Sequence, residues 1–308
     1  MAQNLIHMPT ILNVTHTPID FDVPQGACDC HTHVFGPGNS FPWWEGRVYT
    51  PGDASIADLN ALHQALGVDR VVVVHPSPYG PDNSCSTDAI QAMSPRARGV
   101  AVIDQTTITD VELAALHQAG IRGARANLQT AGQFDPAAAW ATLKSTADRI
   151  AALGWHLQTY TNLATIAALA DKLKTLPVPL VVDHFGHADA KLGLKQPGFA
   201  ELVALVGSGK AYVKISGSYR ISQRADRADV PPLARALIDA NVERVVWGTD
   251  WPHPGGGSRT NSAREEIEPF IPEDDGAALN RLNQWCRNRS ELTRILVDNP
   301  AKLYGFPG

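Results

Sequence analysis

A single, distorted (β/α)8 barrel is the fold this sequence predicts, and three observations predict it. Short β-rich runs alternate with longer helical runs along nearly all of the 308 residues. Eight β-rich runs can be counted, the number a closed parallel barrel requires. Several of them, "VVVV" and "LVV" included, are continuously apolar, as strands covered on both faces are. An open doubly wound sheet is the rival, but "GPGNS" at 36–40 opens no helix and no Gly-rich phosphate turn follows the first run.

Taken in order, residues 1–25 read as an N-terminal arm and residues 26–308 as the barrel. The β-rich runs are 26–35, 68–76, 97–104, 121–128, 155–161, 179–186, 211–218 and 242–250. Between them lie helical segments such as "SIADLNALHQALG", "TDVELAALHQAG", "DPAAAWATLKSTADRIAALG" and "NLATIAALADKLKTL", with Ser or Asp at starts and Gly at several ends. Residues 36–54, rich in Gly, Pro and Trp, form a long loop on the face where barrel active sites lie, which suits a lid. "HPGGGSRT" at 253–260 is a second loop on that face.

Composition narrows the function. A formal charge of −5 argues against nucleic acid or an acidic membrane as partner. No apolar run is long enough to span a bilayer, and the first residues lack signal-peptide features, so a cytoplasmic enzyme is expected. A homo-oligomer stays open. Cys28, Cys30, Cys85 and Cys286 are no disulfide scaffold; Cys28 and Cys30 alternate on a strand and read as small buried packing groups.

Polar residues gather at the ends of the runs: His31 and His33, His75 with Ser77, Arg122 with Arg125, Gln158 with Tyr160, Asp183-His184, Ser216 with Arg220, and Asp250. Side chains two apart on a strand share a face, which sends His31 and His33 together into the barrel mouth. Each has a structural reading alone: a core histidine, a turn cap, a solvated arginine. Their coincidence favours a site. His63 and His117 fall in helical patterns, His7 and His16 in the arm, and His156 at the start of its strand, so these keep the structural reading.

"CDCHTHVFGP", "VDHFG", "VKISGSYR", "VVWGTDWPHP" and "DNPAKLYGF", in this order, resemble the amidohydrolase superfamily. The resemblance, from about residue 24 to the C-terminus, is to the branch of 2-pyrone-4,6-dicarboxylate lactonase, galactarolactone isomerase and 4-sulfomuconolactone hydrolase. It implies a distorted (β/α)8 barrel, in agreement with the strand count. It also implies a divalent metal in most members, here placed on His31, His33, His184 and Asp250. No lysine ends the fourth run, which removes a carbamate bridge, and Gln158 and Tyr160 stand where a ligand histidine is expected. The named branch works without a metal, and nearby guanidiniums favour an anionic substrate over a cation. No cofactor is therefore expected, with mononuclear zinc as the alternative.

The expected reaction is hydrolysis of a small anionic lactone of aromatic catabolism, of the carboxylated muconolactone, sulfomuconolactone or pyrone type. Asp250 serves as general base, and His31, His33 and His184, some protonated, polarise the carbonyl. Arg125 and Arg220 are the anchors for a carboxylate or sulfonate. The resemblance adds Tyr49, Ser77 and Tyr160 to the substrate pocket. It also shows a departure: the pyrone lactonase carries a further arginine just beyond the Arg125 position, where this chain reads "NLQTAGQ". A lactone isomerase acting on a sugar-acid lactone, and a zinc-dependent hydrolase, are the alternatives.

Overall fold

The computed structural model describes residues 15–257 and 263–307; His7 and the 258–262 part of the second loop lie outside the described residues. Eight parallel strands follow one another around the sheet: β1 (Cys28–Thr32), β2 (Arg70–Val74), β3 (Ala97–Ala101), β4 (Ile121–Asn127), β5 (His156–Tyr160), β6 (Leu180–Val182), β7 (Ala211–Lys214) and β8 (Val245–Val246). A helix fills each interval: Ile56–Leu66, Ser84–Ala92, Asp110–Gln118, Pro136–Ile150, Leu163–Leu173, Phe199–Gly207 and Pro231–Asn241. This is the predicted (β/α)8 barrel. Ser55 and Asp58 close a capping box at the first helix and Gly67 ends it in the left-handed conformation at φ 68°.

The strands are shorter than the apolar runs, most of all β8. Between β8 and β1 the barrel closes by single hydrogen bonds rather than a ladder. Cys30 N–H donates to the Trp247 carbonyl at 2.9 Å, Asp250 N–H to that of His31 at 2.8 Å, and His33 N–H to that of Trp251 at 2.8 Å. Gly248 makes this approach possible, because a Cβ there would lie 2.6 Å from the His31 nitrogen. The buried Asp29 carboxylate joins the two edges, accepting from His31 N–H, Thr249 N–H and Thr249 Oγ1 at 3.1, 3.0 and 2.6 Å. His63, structural as its sequence context suggests, faces the same carboxylate at 3.3 Å.

Strand β1 carries a register irregularity between Asp29 and Thr32 that resolves a conflict of parity. Cys28 and Cys30 pack in the barrel interior with Val72, Val74, Val181 and Val246. Strict alternation would then turn His31 and His33 outward. The irregularity moves the phase by one residue, so the cysteines and the histidines both face the axis. Below the cysteines, Tyr304 and Phe306 plug the opposite end of the barrel, which gives the terminal "LYGF" a packing role. Among the described residues no helix is long and apolar enough to cross a membrane.

Candidate active site

The mouth of the barrel collects side chains from most of its strands. His31 and His33 come from the irregular end of β1, and Arg125 from β4, where alternation turns it inward. Tyr160 ends β5. His184 follows β6 with φ 47°, and Asp250 follows β8 with φ 67°. Both lie in the left-handed region that β-strand continuation cannot reach, and such backbone is costly unless its surroundings enforce it. The turn at His184 lets two consecutive residues, Asp183 and His184, both address the site.

Asp250 is fully buried, and its two oxygens have different surroundings. Oδ2 accepts from the Tyr219 hydroxyl at 2.6 Å and from Arg220 Nε at 2.5 Å. Oδ1 has no hydrogen-bond partner among the described residues, yet Nε2 of His31, His33 and His184 stand 3.6, 3.5 and 3.7 Å from it. Burial pushes the carboxyl upward, but the Arg220 guanidinium and the surrounding imidazoles outweigh it and hold Asp250 well below the usual carboxylate range.

Burial works against a charge on all three imidazoles. Burial pulls His31 well below its ordinary value, His33 below it, and His184 to about 4. These shifts run against the protonation of some of them that the reaction would use: the rings are buried, and Lys214 and the arginines oppose a further charge. His33 Nδ1–H donates to the Val74 carbonyl at 2.8 Å, and His184 Nδ1 pairs with Ser216 Oγ at 2.9 Å.

Beside Asp250 lies a cavity of about 30 Å³, room for a water or two. His33, His184 and Asp250 line one part of it, and Tyr49, Ser77 and Tyr160 line another. Arg125 and Arg220 line it as well, each with its guanidinium carbon 5.9 Å from the centre of the Tyr160 ring. The Tyr49 hydroxyl is paired with Ser77, and burial pushes that phenol up. Asn127 and Thr130 complete the wall in the "NLQTAGQ" stretch. A larger cleft, about 580 Å³, is lined by Trp251, Ile267 and Phe270 and includes none of these groups.

Beneath the cavity is a second buried layer whose roles the sequence reading did not assign. Lys214, on β7, donates to Gln158 Oε1 at 2.7 Å and faces His31 Nδ1 at 3.2 Å and Asp183 Oδ1 at 3.4 Å. Gln158 Nε2 in turn donates to Asp183 Oδ2 at 2.9 Å. Burial raises the Asp183 carboxyl, but Lys214, His31 and Arg125 together hold it well below the usual range. A lysine two residues after the inward Tyr212 was the available signal for this layer. Tyr219 had only its place beside Arg220 to mark it.

Other polar run ends are structural here. His75 bonds Ser86 Oγ and the Gly80 carbonyl, both at 2.9 Å. His156 lies deep in the barrel with its ring 5.1 Å from Tyr304, and burial lowers it to about 3. Arg122 turns away from the mouth, donating to the His117 and Ile121 carbonyls at 2.8 and 2.7 Å.

In donor type the mouth suits a divalent cation, and the ligand atoms close enough to share one form two overlapping groups, His31 with His33 and Asp250, and His31 with Asp183 and His184. Ligand atoms around a tetrahedral ion bound at about 2.1 Å stand ~3.4 Å apart, close to the three Nε2–Oδ1 separations. His31 Nε2 and Asp250 Oδ1 are both buried without a partner among the described residues.

This arrangement coincides with a known family. The sequence profile described as Amidohydrolase matches residues 28–306. The chain belongs to the amidohydrolase family. It is 37% identical to the 2-pyrone-4,6-dicarboxylate hydrolase of Comamonas testosteroni over 92% of each chain. It is 34% identical to the 4-sulfomuconolactone hydrolase of Hydrogenophaga intermedia over 96% of this chain and 95% of that one. A crystal structure from Pseudomonas putida, provisionally assigned as a 2-pyrone-4,6-dicarboxylic acid hydrolase, superposes with a TM-score of 0.78. The two share 32% identity over 93% of this chain and 100% of that chain.

Proposed function

We propose that this amidohydrolase opens the ring of a small anionic lactone by hydrolysis. One observation carries the reading: three buried imidazoles converge on one unpartnered carboxylate oxygen, beside two guanidiniums that both approach the Tyr160 ring. The relatives named as lactone hydrolases support the same reaction class.

In the proposed mechanism the lactone carbonyl approaches Asp250 and the imidazoles from the cavity that His33, His184 and Asp250 line. Asp250 takes a proton from the attacking water, and His31, through an Nε2–H, holds the carbonyl oxygen as it gains charge. The protonated Asp250 then passes its proton to the leaving ring oxygen. Arg125 and Arg220 receive the carboxylate or sulfonate of the substrate. Because Arg220 already holds Asp250 Oδ2, anion binding and water activation meet at one guanidinium. Asn127 and Thr130, both neutral, occupy the wall beyond Arg125, so the substrate class is a lactone with one strongly anchored anionic group rather than a flat dicarboxylate.

A divalent ion, were one bound, would be held by His31, His33, His184 and Asp250 and would supply Lewis acidity to the carbonyl. We propose the reaction without it. Arg125, Arg220 and Lys214 against Asp183 and Asp250 already leave one net positive charge in the site (three cations, two anions). That surplus suits an anion and opposes a dication.

The test is a panel of anionic lactones monitored by pH-stat in ¹⁸O-water, with and without prior chelator dialysis. Expected are acid release, one solvent oxygen per product and full activity after chelation. Turnover without label identifies an isomerase; loss of activity with stoichiometric zinc identifies a metal enzyme. Inertness toward every lactone removes the proposal.

A further inference from the structure

We infer that Lys214 is a positioning residue that fixes which nitrogen of His31 carries the proton, and thereby makes His31 a hydrogen-bond donor rather than a metal ligand. The inference rests on the reading of the mouth as a site that holds a carbonyl, and it concerns a side chain that touches neither substrate nor water in the mechanism above.

The argument is one of hydrogen-bond accounting. An ammonium has three N–H donors and no lone pair to accept with. Three acceptors surround Lys214 Nζ: Gln158 Oε1 at 2.7 Å, His31 Nδ1 at 3.2 Å and Asp183 Oδ1 at 3.4 Å. Gln158 cannot turn its amide to release one of them, because its Nε2 is committed to Asp183 Oδ2 at 2.9 Å. The lysine is fully buried, so water offers no substitute acceptor, and an unmade hydrogen bond there would be costly. Two of the donors are matched by hydrogen bonds, to Gln158 Oε1 and to His31 Nδ1, and the second requires that Nδ1 present its lone pair, while Asp183 Oδ1 at 3.4 Å adds an ion pair rather than a hydrogen bond. A neutral imidazole with a bare Nδ1 carries its proton on Nε2. That Nε2 is the atom that faces Asp250 Oδ1 at 3.6 Å.

His31 and His33 therefore differ although they stand two residues apart. His33 gives its Nδ1 proton to the Val74 carbonyl, so its neutral form has a bare Nε2. In His31 the bare and protonated nitrogens are exchanged. Without Lys214, the nearest partner for His31 Nδ1 is Asp183 Oδ1 at 3.4 Å, a carboxylate that demands an Nδ1–H and leaves Nε2 bare. Lys214 and Asp183 thus compete for one ring nitrogen with opposite requirements, and the lysine is nearer. A metal needs the lone pair of Nε2, whereas an oxyanion needs its proton. The donor types of the mouth fit a cation, but the proton on His31 fits a carbonyl oxygen.

Nitrogen-15 NMR of histidine-labelled protein without substrate tests this, with His31 assigned by its disappearance in His31→Gln. The wild type is expected to show a neutral His31 protonated at Nε2, and Lys214→Met the opposite tautomer. With the best lactone, Lys214→Met should lose about a hundredfold in kcat, the scale for one oxyanion donor, with KM within about threefold of wild type. Zinc titration of the metal-free proteins should show tighter binding to the variant. Lys214→Arg, which keeps a donor on Nδ1, should retain the Nε2–H signal. A wild-type His31 protonated at Nδ1 overturns the inference, as does an unchanged tautomer in a folded Lys214→Met protein. The wild-type spectrum decides even if that variant does not fold. Because it is recorded without substrate, it separates failure of this inference from failure of the lactone reading.

Discussion

Replacing Asp250 with Asn is the most informative perturbation of the proposed chemistry. The substitution is nearly isosteric, and the amide oxygen can still accept from Tyr219 and Arg220, which hold Oδ2 at 2.6 and 2.5 Å. What is lost is the base and one negative charge. General-base catalysis is worth roughly 10²–10⁴ in rate, so kcat should fall about a thousandfold, or ~4 kcal/mol of barrier. The effect on binding has the opposite sign. The net charge of the five buried groups rises from +1 to +2 (Arg125, Arg220 and Lys214 against Asp183 alone). At roughly 7 Å and an effective dielectric of about 20, one charge changes the energy of a bound anion by at most ~2 kcal/mol. KM should therefore stay level or fall while kcat collapses. Steady-state kinetics by pH-stat, with a thermal melt to establish folding, would show this split. A kcat within tenfold of wild type would take Asp250 out of the base role, and a large rise in KM would refute the electrostatic argument.

Three further outcomes follow from particular contacts. Arg125→Ala should raise KM for an anionic lactone by at least about tenfold with a smaller effect on kcat, since its guanidinium serves the anchored group; an effect confined to kcat would contradict this. Gly248→Ala places a methyl 2.6 Å from the His31 nitrogen and should cost about 1–3 kcal/mol, read as a lowered melting temperature together with lost activity. His253 is buried, and the Asp275 carboxylate 3.0 Å away outweighs desolvation and raises it above the ordinary imidazole value. A raised histidine stabilises the fold below its unfolded pKa and loses that contribution as pH climbs through the folded one. Melting temperature should therefore decline upward from about pH 6.5, and His253→Gln should flatten the decline.

The barrel was legible because its strands are buried on both faces and their apolar runs cannot pass for loops. The site was legible in part. Alternation correctly turns Arg125, Tyr160 and Asp183 toward the axis, and it would have found Lys214 from Tyr212. It fails where the backbone departs from a strand. Cys28 and Cys30 cannot share the axis with His31 and His33 unless the phase slips between them, and nothing in "CDCHTH" announces a slip. His184 should face away from Asp183; only a positive φ brings it back. The direction in which the imidazoles are shifted depends on the depth of burial and on Lys214, neither of which the spacing of histidines reveals.

The bonds that shut the barrel are also the bonds that place its chemistry. Asp250 N–H meets the His31 carbonyl, and Asp29 holds both His31 and Thr249, the latter 220 residues further along the chain. Base and imidazole are consequently neighbours only when the first and last strands have met. No partly assembled form, however many of its helices and strands are in place, can possess half the activity. Catalysis becomes an all-or-none report on the completion of folding. A substitution that loosens the seam, as Gly248→Ala does, should therefore strike activity and stability together.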